Sequence, residues 1–104
     1  MAKNIRMRIQ LKDGIANIKL LIFHPMETGL RKHSVTKEIV PEHFIEKMVV
    51  SHNGEHALES HWSRAVSRNP FLNFRIRNVK KGDKIAIYWE DNLGENGNTE
   101  KIIN

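Results

Sequence analysis

His24, His33, His43, His52, His56 and His61 are the side chains of this 104-residue sequence best suited to hold a metal or move a proton. A zinc or iron site needs three or four converging ligands, with further hydrogen bonds to orient them. His52 and His56 lie four apart, but Asn53-Gly54 falls between them and reads as a hairpin turn, across which the two rings could face each other. The others have no helical HxxxH or HExxH context, so the six read as surface or partly buried histidines and no metal ligand is assigned. With no cysteine, the chain can make no disulfide, thiolate-ligated iron centre, iron-sulfur cluster or thiol nucleophile. Ser34, Ser51, Ser60, Ser63 and Ser67 lack a Gly-x-Ser-x-Gly elbow, no carboxylate pair stands out, and the glycines are single turn residues rather than a phosphate loop. No catalytic residue and no cofactor follow from the residues.

Seventeen Lys and Arg against twelve Asp and Glu leave a net charge of +5, which draws the chain to acidic partners or polyanions. Arg6 and Arg8, Arg75 and Arg77, with Arg64 and Arg68 between, form a stripe that could follow a phosphate backbone. A basic β-sandwich nucleic-acid-binding module is therefore the alternative function. Trp62, Trp89, Phe44 and Phe74 all fit core positions, which leaves few aromatics for base stacking and favours a solvated polar face.

The elements that must position these groups alternate in the manner of strands. Ile5, Met7, Ile9 and Leu11 share one face, with Arg6, Arg8 and Gln10 on the other. Asp13-Gly14 marks a turn, and the more continuous apolar run from Ile15 to His24 predicts a strand either covered on both sides or central in its sheet, closed by Pro25. A short strand is expected over Lys37 to Val40, a strong one over Phe44 to His52, and a returning arm over Glu55 to Trp62, although Leu58, Trp62, Ala65 and Val66 also fit helical spacing. Further strands follow at Phe71 to Arg77, around Ile85, Ile87 and Trp89, and at Thr99 to Ile103 after a polar turn from Asp91 to Asn98. Seven to eight short strands with regular turn signals predict an all-β, antiparallel immunoglobulin-like β-sandwich, as one domain over residues 1–104. The longest apolar run, Leu20 to Phe23, is far short of the ~20 residues that span a bilayer. The N-terminus alternates where a signal peptide would be continuously apolar, so taken alone the chain reads as cytoplasmic with no membrane contact.

Four blocks carry more than periodicity: HPMETGLRKH from His24, IVPEHFIEKMVVSHNG from Ile39, HWSRAVSRNPFLNFRIR from His61 and KKGDKIAIYWEDNLGE from Lys80. In order and over nearly the whole chain, they resemble the SoxZ family of the bacterial thiosulfate-oxidising Sox system. The resemblance implies a non-catalytic subunit of a SoxYZ sulfur-carrier heterodimer, whose SoxY partner bears the reactive cysteine on a C-terminal Gly-Gly-Cys-Gly-Gly arm. It also implies transient contact with other Sox enzymes and a periplasmic location, reached by export together with a signal-bearing SoxY. A lone chain of this kind is expected to self-associate.

Within the first block, His24, Pro25, Met26, Glu27, Thr28, Gly29 and Arg31 are the expected partner-binding residues. Pro25 holds His24 extended and ends the strand, while Gly29 allows a positive φ. Met26 reads as an exposed, adaptable apolar contact, with Glu27 and Arg31 supplying opposite charges beside it.

Overall fold

The computed structural model describes residues 5–63 and 65–104. Arg64, part of the basic stripe, lies outside the described residues. Seven strands form among the described residues: β1 (Ile5–Lys12), β2 (Ile15–Ile22), β3 (Ile45–His52), β4 (Glu55–His61), β5 (Phe71–Ile76), β6 (Lys84–Asp91) and β7 (Asn96–Ile102). They make two antiparallel sheets, one of three strands in the order β1-β2-β5 and one of four in the order β4-β3-β6-β7.

Alternation decides which side of each strand is buried. In β2, Ala16, Ile18, Leu20 and Ile22 are all buried, and they meet Met48 and Val50 of β3 and Ile85, Ile87 and Trp89 of β6 in one apolar cluster between the sheets. Each fully buried side chain of this size contributes about 1.5–3 kcal/mol, so these three strands carry the core. Met7, Ile9 and Leu11 of β1, with Leu72, Phe74 and Ile76 of β5, pack more loosely on its flanks, as does Trp62. The apolar continuity of the second strand thus marks a central strand buried on one face. Its outward positions, such as Lys19 and Leu21, remain accessible.

Asp13-Gly14 and Asn53-Gly54 make their turns with positive φ at both residues, which matches the right-handed twist of the paired strands. The strand reading of Glu55–His61 holds, and the helical alternative does not. His52 and His56 do not face each other: the two-residue Asn53-Gly54 turn sets His52 opposite Glu55 and His56 opposite Ser51, and a bulge follows between Val50 and Ser51. No strand forms over Lys37 to Val40, where a single bridge joins Ile39 to Lys32. The last strand begins at Asn96, earlier than expected. Its early start depends on Gly97, which lies across from Trp89, where a Cβ would come within 2.5 Å of the indole Nε1.

Asp83 and Asp91 flank the length of β6 and stitch its two ends to other segments. At the first end, His52 Nε2 lies 2.7 Å from Asp83 Oδ2 and the Lys80 N–H donates to the same oxygen at 3.0 Å. The His52 hydrogen bond first, then those from Lys80 and Asn53, hold the Asp83 carboxyl below its ordinary value of 3.8, at about 2.

Gly97→Ala should destabilise the protein by about 1–3 kcal/mol through overpacking against Trp89, measured by urea unfolding. Asp83→Asn should lower the melting temperature most above about pH 4, because a depressed carboxyl stabilises fully above its unfolded pKa. The gap to the parent protein should close as pH falls through about 2. A gap that stays constant with pH would contradict the His52–Asp83 reading.

Candidate partner-binding surface

Between β2 and β3 the chain makes an excursion, residues 23–44, whose base is locked and whose outer part is bare. β2 ends at Ile22, two residues short of the His24 expected, and beyond Pro25 Met26 takes a left-handed φ of 48° that turns its side chain inward. Met26 is only 4% exposed, and its Sδ accepts from the Ile45 N–H at 3.4 Å. The exposed contact expected of Met26 is therefore corrected: a side chain placed after a β-strand end can fold back over the core as easily as it can face water.

His24 is equally buried. Its ring Nδ1 accepts from the Met26 N–H at 3.1 Å, which leaves the proton of the neutral ring on Nε2, 3.0 Å from Asp91 Oδ2. His43 Nε2 reaches the same Asp91 oxygen at 2.7 Å, and the two imidazoles sit edge to face with centroids 4.5 Å apart. Asp91 Oδ1 accepts from the N–H groups of Leu93 and Glu95 at 3.0 and 2.9 Å. Burial pushes the Asp91 carboxyl up, and the hydrogen bonds from His24, His43, Glu95 and Leu93 outweigh it and hold the group below its ordinary value.

Two of the scattered histidines and an aspartate thus converge, with ligand atoms within 4.8 Å of one another, a grouping the sequence reading did not foresee. A metal there would need the Nε2 lone pair of His24. The Met26 amide, pointing at Nδ1, puts a proton on that nitrogen instead, whereas a metal-bound imidazole turns its other N–H toward an acceptor. The arrangement is chemically a hydrogen-bonded clamp that fastens the excursion to the ends of β3 and β6.

Beyond the clamp the two strands of the excursion run as a narrow ladder. Glu27 and His43 exchange both backbone hydrogen bonds, Val40 N–H donates to Arg31 C=O at 2.8 Å and His33 N–H to Glu38 C=O at 2.8 Å. Gly29, at φ 82°, passes close to Glu42, so that an added Cβ would lie 3.2 Å from the Glu42 Cβ. Every residue from Leu30 to Ile39 is exposed, and the segment stands off the sandwich as an arm. Leu30, Val35 and Ile39 are 75%, 79% and 60% exposed.

Of the seven residues expected to bind a partner, Pro25 and Arg31 are exposed, Glu27, Thr28 and Gly29 half-buried, and His24 and Met26 buried. Glu27 and Arg31 bind each other at 2.5 and 3.0 Å, an ion pair that braces the arm and holds the Glu27 carboxyl below its ordinary value. The residues missed are Leu30, Val35 and Ile39. Their signal was three large apolar side chains in a segment otherwise polar, with no alternating strand to bury them.

Asp91→Asn sets an amide against two imidazole donors and should destabilise the protein by about 3 kcal/mol near pH 7. Because the carboxyl is depressed, the loss should shrink as acid protonates Asp91 in the parent protein. Denaturant unfolding at several pH values checks both points; a change below about 0.5 kcal/mol would show that the clamp is not structural.

Residues 5–101 match the family model for the sulphur oxidation protein SoxZ. No curated protein matches the chain.

Proposed function

Since the chain belongs to the SoxZ family, we propose that it is the cysteine-free subunit of a SoxYZ-type sulfur-carrier heterodimer that presents its arm to a SoxY-like partner. The family is one of non-catalytic sulfur-oxidation carriers, with a SoxY-type partner and a typically periplasmic setting. For this chain, we place the cargo on the partner's thiol, within a C-terminal Gly-Gly-Cys-Gly-Gly arm, and the working location in the periplasm after joint export. The chain acts as one immunoglobulin-like domain over residues 1–104; the order β1-β2-β5 facing β4-β3-β6-β7 supports that type, with β4 joining the second sheet as strand C′ does in variable-type domains.

The observation that carries the proposal is the arm. A ten-residue ladder with three large apolar side chains in water is costly for a solitary protein, and it is held at a fixed angle by the Asp91 clamp at its base. Prior fixing of the arm spares a binding partner the entropy of ordering it. Leu30, Val35 and Ile39 supply the apolar contact, with Pro25, Glu27, Thr28, Gly29 and Arg31 at its rim, while His24 and Met26 act from below by setting the arm's direction. Exposed strand surface, Ile102 included, supplies further area toward the ~2,000 Å² of an obligate pair.

Replacing Leu30, Val35 and Ile39 together by Ser should weaken binding to a purified SoxY-like partner by about 3 kcal/mol, on the order of a hundredfold. The melting temperature of the free chain should stay unchanged, because none of the three packs in the core. Titration calorimetry measures the affinity. Undiminished binding would move the interface off the arm, and failure of the parent chain to bind any SoxY-like protein would remove the carrier reading.

A further inference from the structure

The outward face of the β1-β2-β5 sheet carries cations in register, and its strand residues include no carboxylate; Asp13, in the turn between β1 and β2, borders it at one end. Across the three strands, Arg6 stands opposite Leu21 and then Phe71, Arg8 opposite Lys19 and then Asn73, and Gln10 opposite Asn17 and then Arg75. Lys12 opposite Ile15 completes the face. Like charges placed directly opposite, as Arg8 and Lys19 are, destabilise a sheet, and no acidic neighbour relieves this pair. Among the described residues, Arg8, Lys12, Lys19 and Arg75 form no ion pair. Glu59, Glu90 and Glu100 lie instead on the outward side of the other sheet, beside Val49, Lys47 and Ala86. On that second face the carboxylates are matched by cations, Lys47 with Glu59 and Lys84 with Glu100, so uncompensated positive charge gathers on the first. A shallow groove of about 510 Å³, lined by Arg6, Arg8, Lys19, Leu21, Phe71 and Lys101, crosses the cationic side.

We propose that this face docks the acidic surface of another protein, briefly and under electrostatic steering. The proposal rests on the carrier reading in naming that protein as an enzyme that acts on the carrier's cargo. Charge complementarity defines the occupant: uncompensated Arg and Lys around an apolar end formed by Leu21 and Phe71, the latter 64% exposed, fit a carboxylate-rimmed apolar patch. Single-stranded nucleic acid is disfavoured by the layout, since stacking platforms interleave aromatics along the basic track. Here Phe23 and Phe71 sit at one end only, and the Arg6 guanidinium already lies over the Phe23 ring, 5.3 Å from its centroid. The area also fits a passing contact. Three strands with outward residues over one short strand length present a face of roughly 20 by 10 Å, small enough for the weak encounters that bury less than about 1,200 Å² in total.

The test uses the double variant Arg8→Glu with Lys19→Glu, assembled with the SoxY-like partner. Its association with each sulfur-oxidising enzyme of the source organism is followed by surface plasmon resonance from about 20 to about 300 mM salt. At the lowest salt the association rate with at least one enzyme should fall at least about tenfold, with a flattened salt dependence. The dissociation rate and the affinity for the SoxY-like partner should be unchanged, and a Glu90→Lys with Glu100→Lys variant of the opposite face should associate no more slowly than the parent. Unchanged association with every enzyme would overturn the proposal. A single-stranded DNA 20-mer bound by the parent as tightly as any enzyme, and released by the double variant, would overturn it in favour of nucleic acid. The lone chain is run in parallel, so that failure to pair with a SoxY-like protein contradicts the carrier reading while the charged face is still judged by its own salt-dependent association.

Discussion

The side chain of Asp91 is fully withdrawn from water at the point where β6 ends, and a bare carboxylate there would be prohibitive. Four donors make it tolerable: the rings of His24 and His43 and the backbone of Leu93 and Glu95. Three separate stretches of chain are thereby required to meet at one atom group. The end of β2, the approach to β3 and the turn into β7 cannot shift independently without stranding a donor or the charge. The direction in which the 30–39 arm leaves the sandwich is a consequence of that requirement, and so is the burial of Met26 beneath it.

The same device recurs in a smaller form at the other end of β6. Asp83 takes a hydrogen bond from His52, while the backbone of Ile103 donates to the Asp83 carbonyl, so that the C-terminal residues close over the first turn of the strand. Histidines that would suit catalysis or metal binding by type are thus spent on holding segments together. This fits a subunit whose chemistry resides elsewhere and whose own contribution is a fixed shape with two differently charged faces.

How much of this was legible from the residues depended on the range of the interaction. Period-two alternation is local, and it placed β1, β5 and β6 with their inner faces correct, while the Asp-Gly and Asn-Gly pairs marked two hairpins whose φ values match the expected turn. The beginning of β7 was hidden, because Asn96 and Gly97 have poor strand propensity and the glycine is required only by the ring of Trp89 on the neighbouring strand. Nothing near His24 announces Asp91, 67 positions away, and the pairing of His43 with it spans 48. The Lys37 to Val40 segment has strand-like residues but only the opposite limb of its own arm to pair with, which limits it to one bridge. At the candidate site, residue types located the loop correctly as an excursion, yet which side chains turn inward was settled by a backbone twist at Met26 that composition does not encode.

A rigid base carrying a bare apolar tip is the feature on which the proposed partner contact turns, and amide hydrogen exchange of the free chain and of its complex with a SoxY-like partner tests that proposal most directly. In the free chain the Glu27 and His43 amides should already exchange slowly, because their mutual hydrogen bonds sit beside the Asp91 clamp. On complex formation the amides of residues 30–39 should slow by about tenfold or more as the tip is covered. Fast exchange at Glu27 and His43 in the free chain, or an arm whose exchange is untouched while new protection forms across Val49 and Tyr88 on the other sheet, would contradict it.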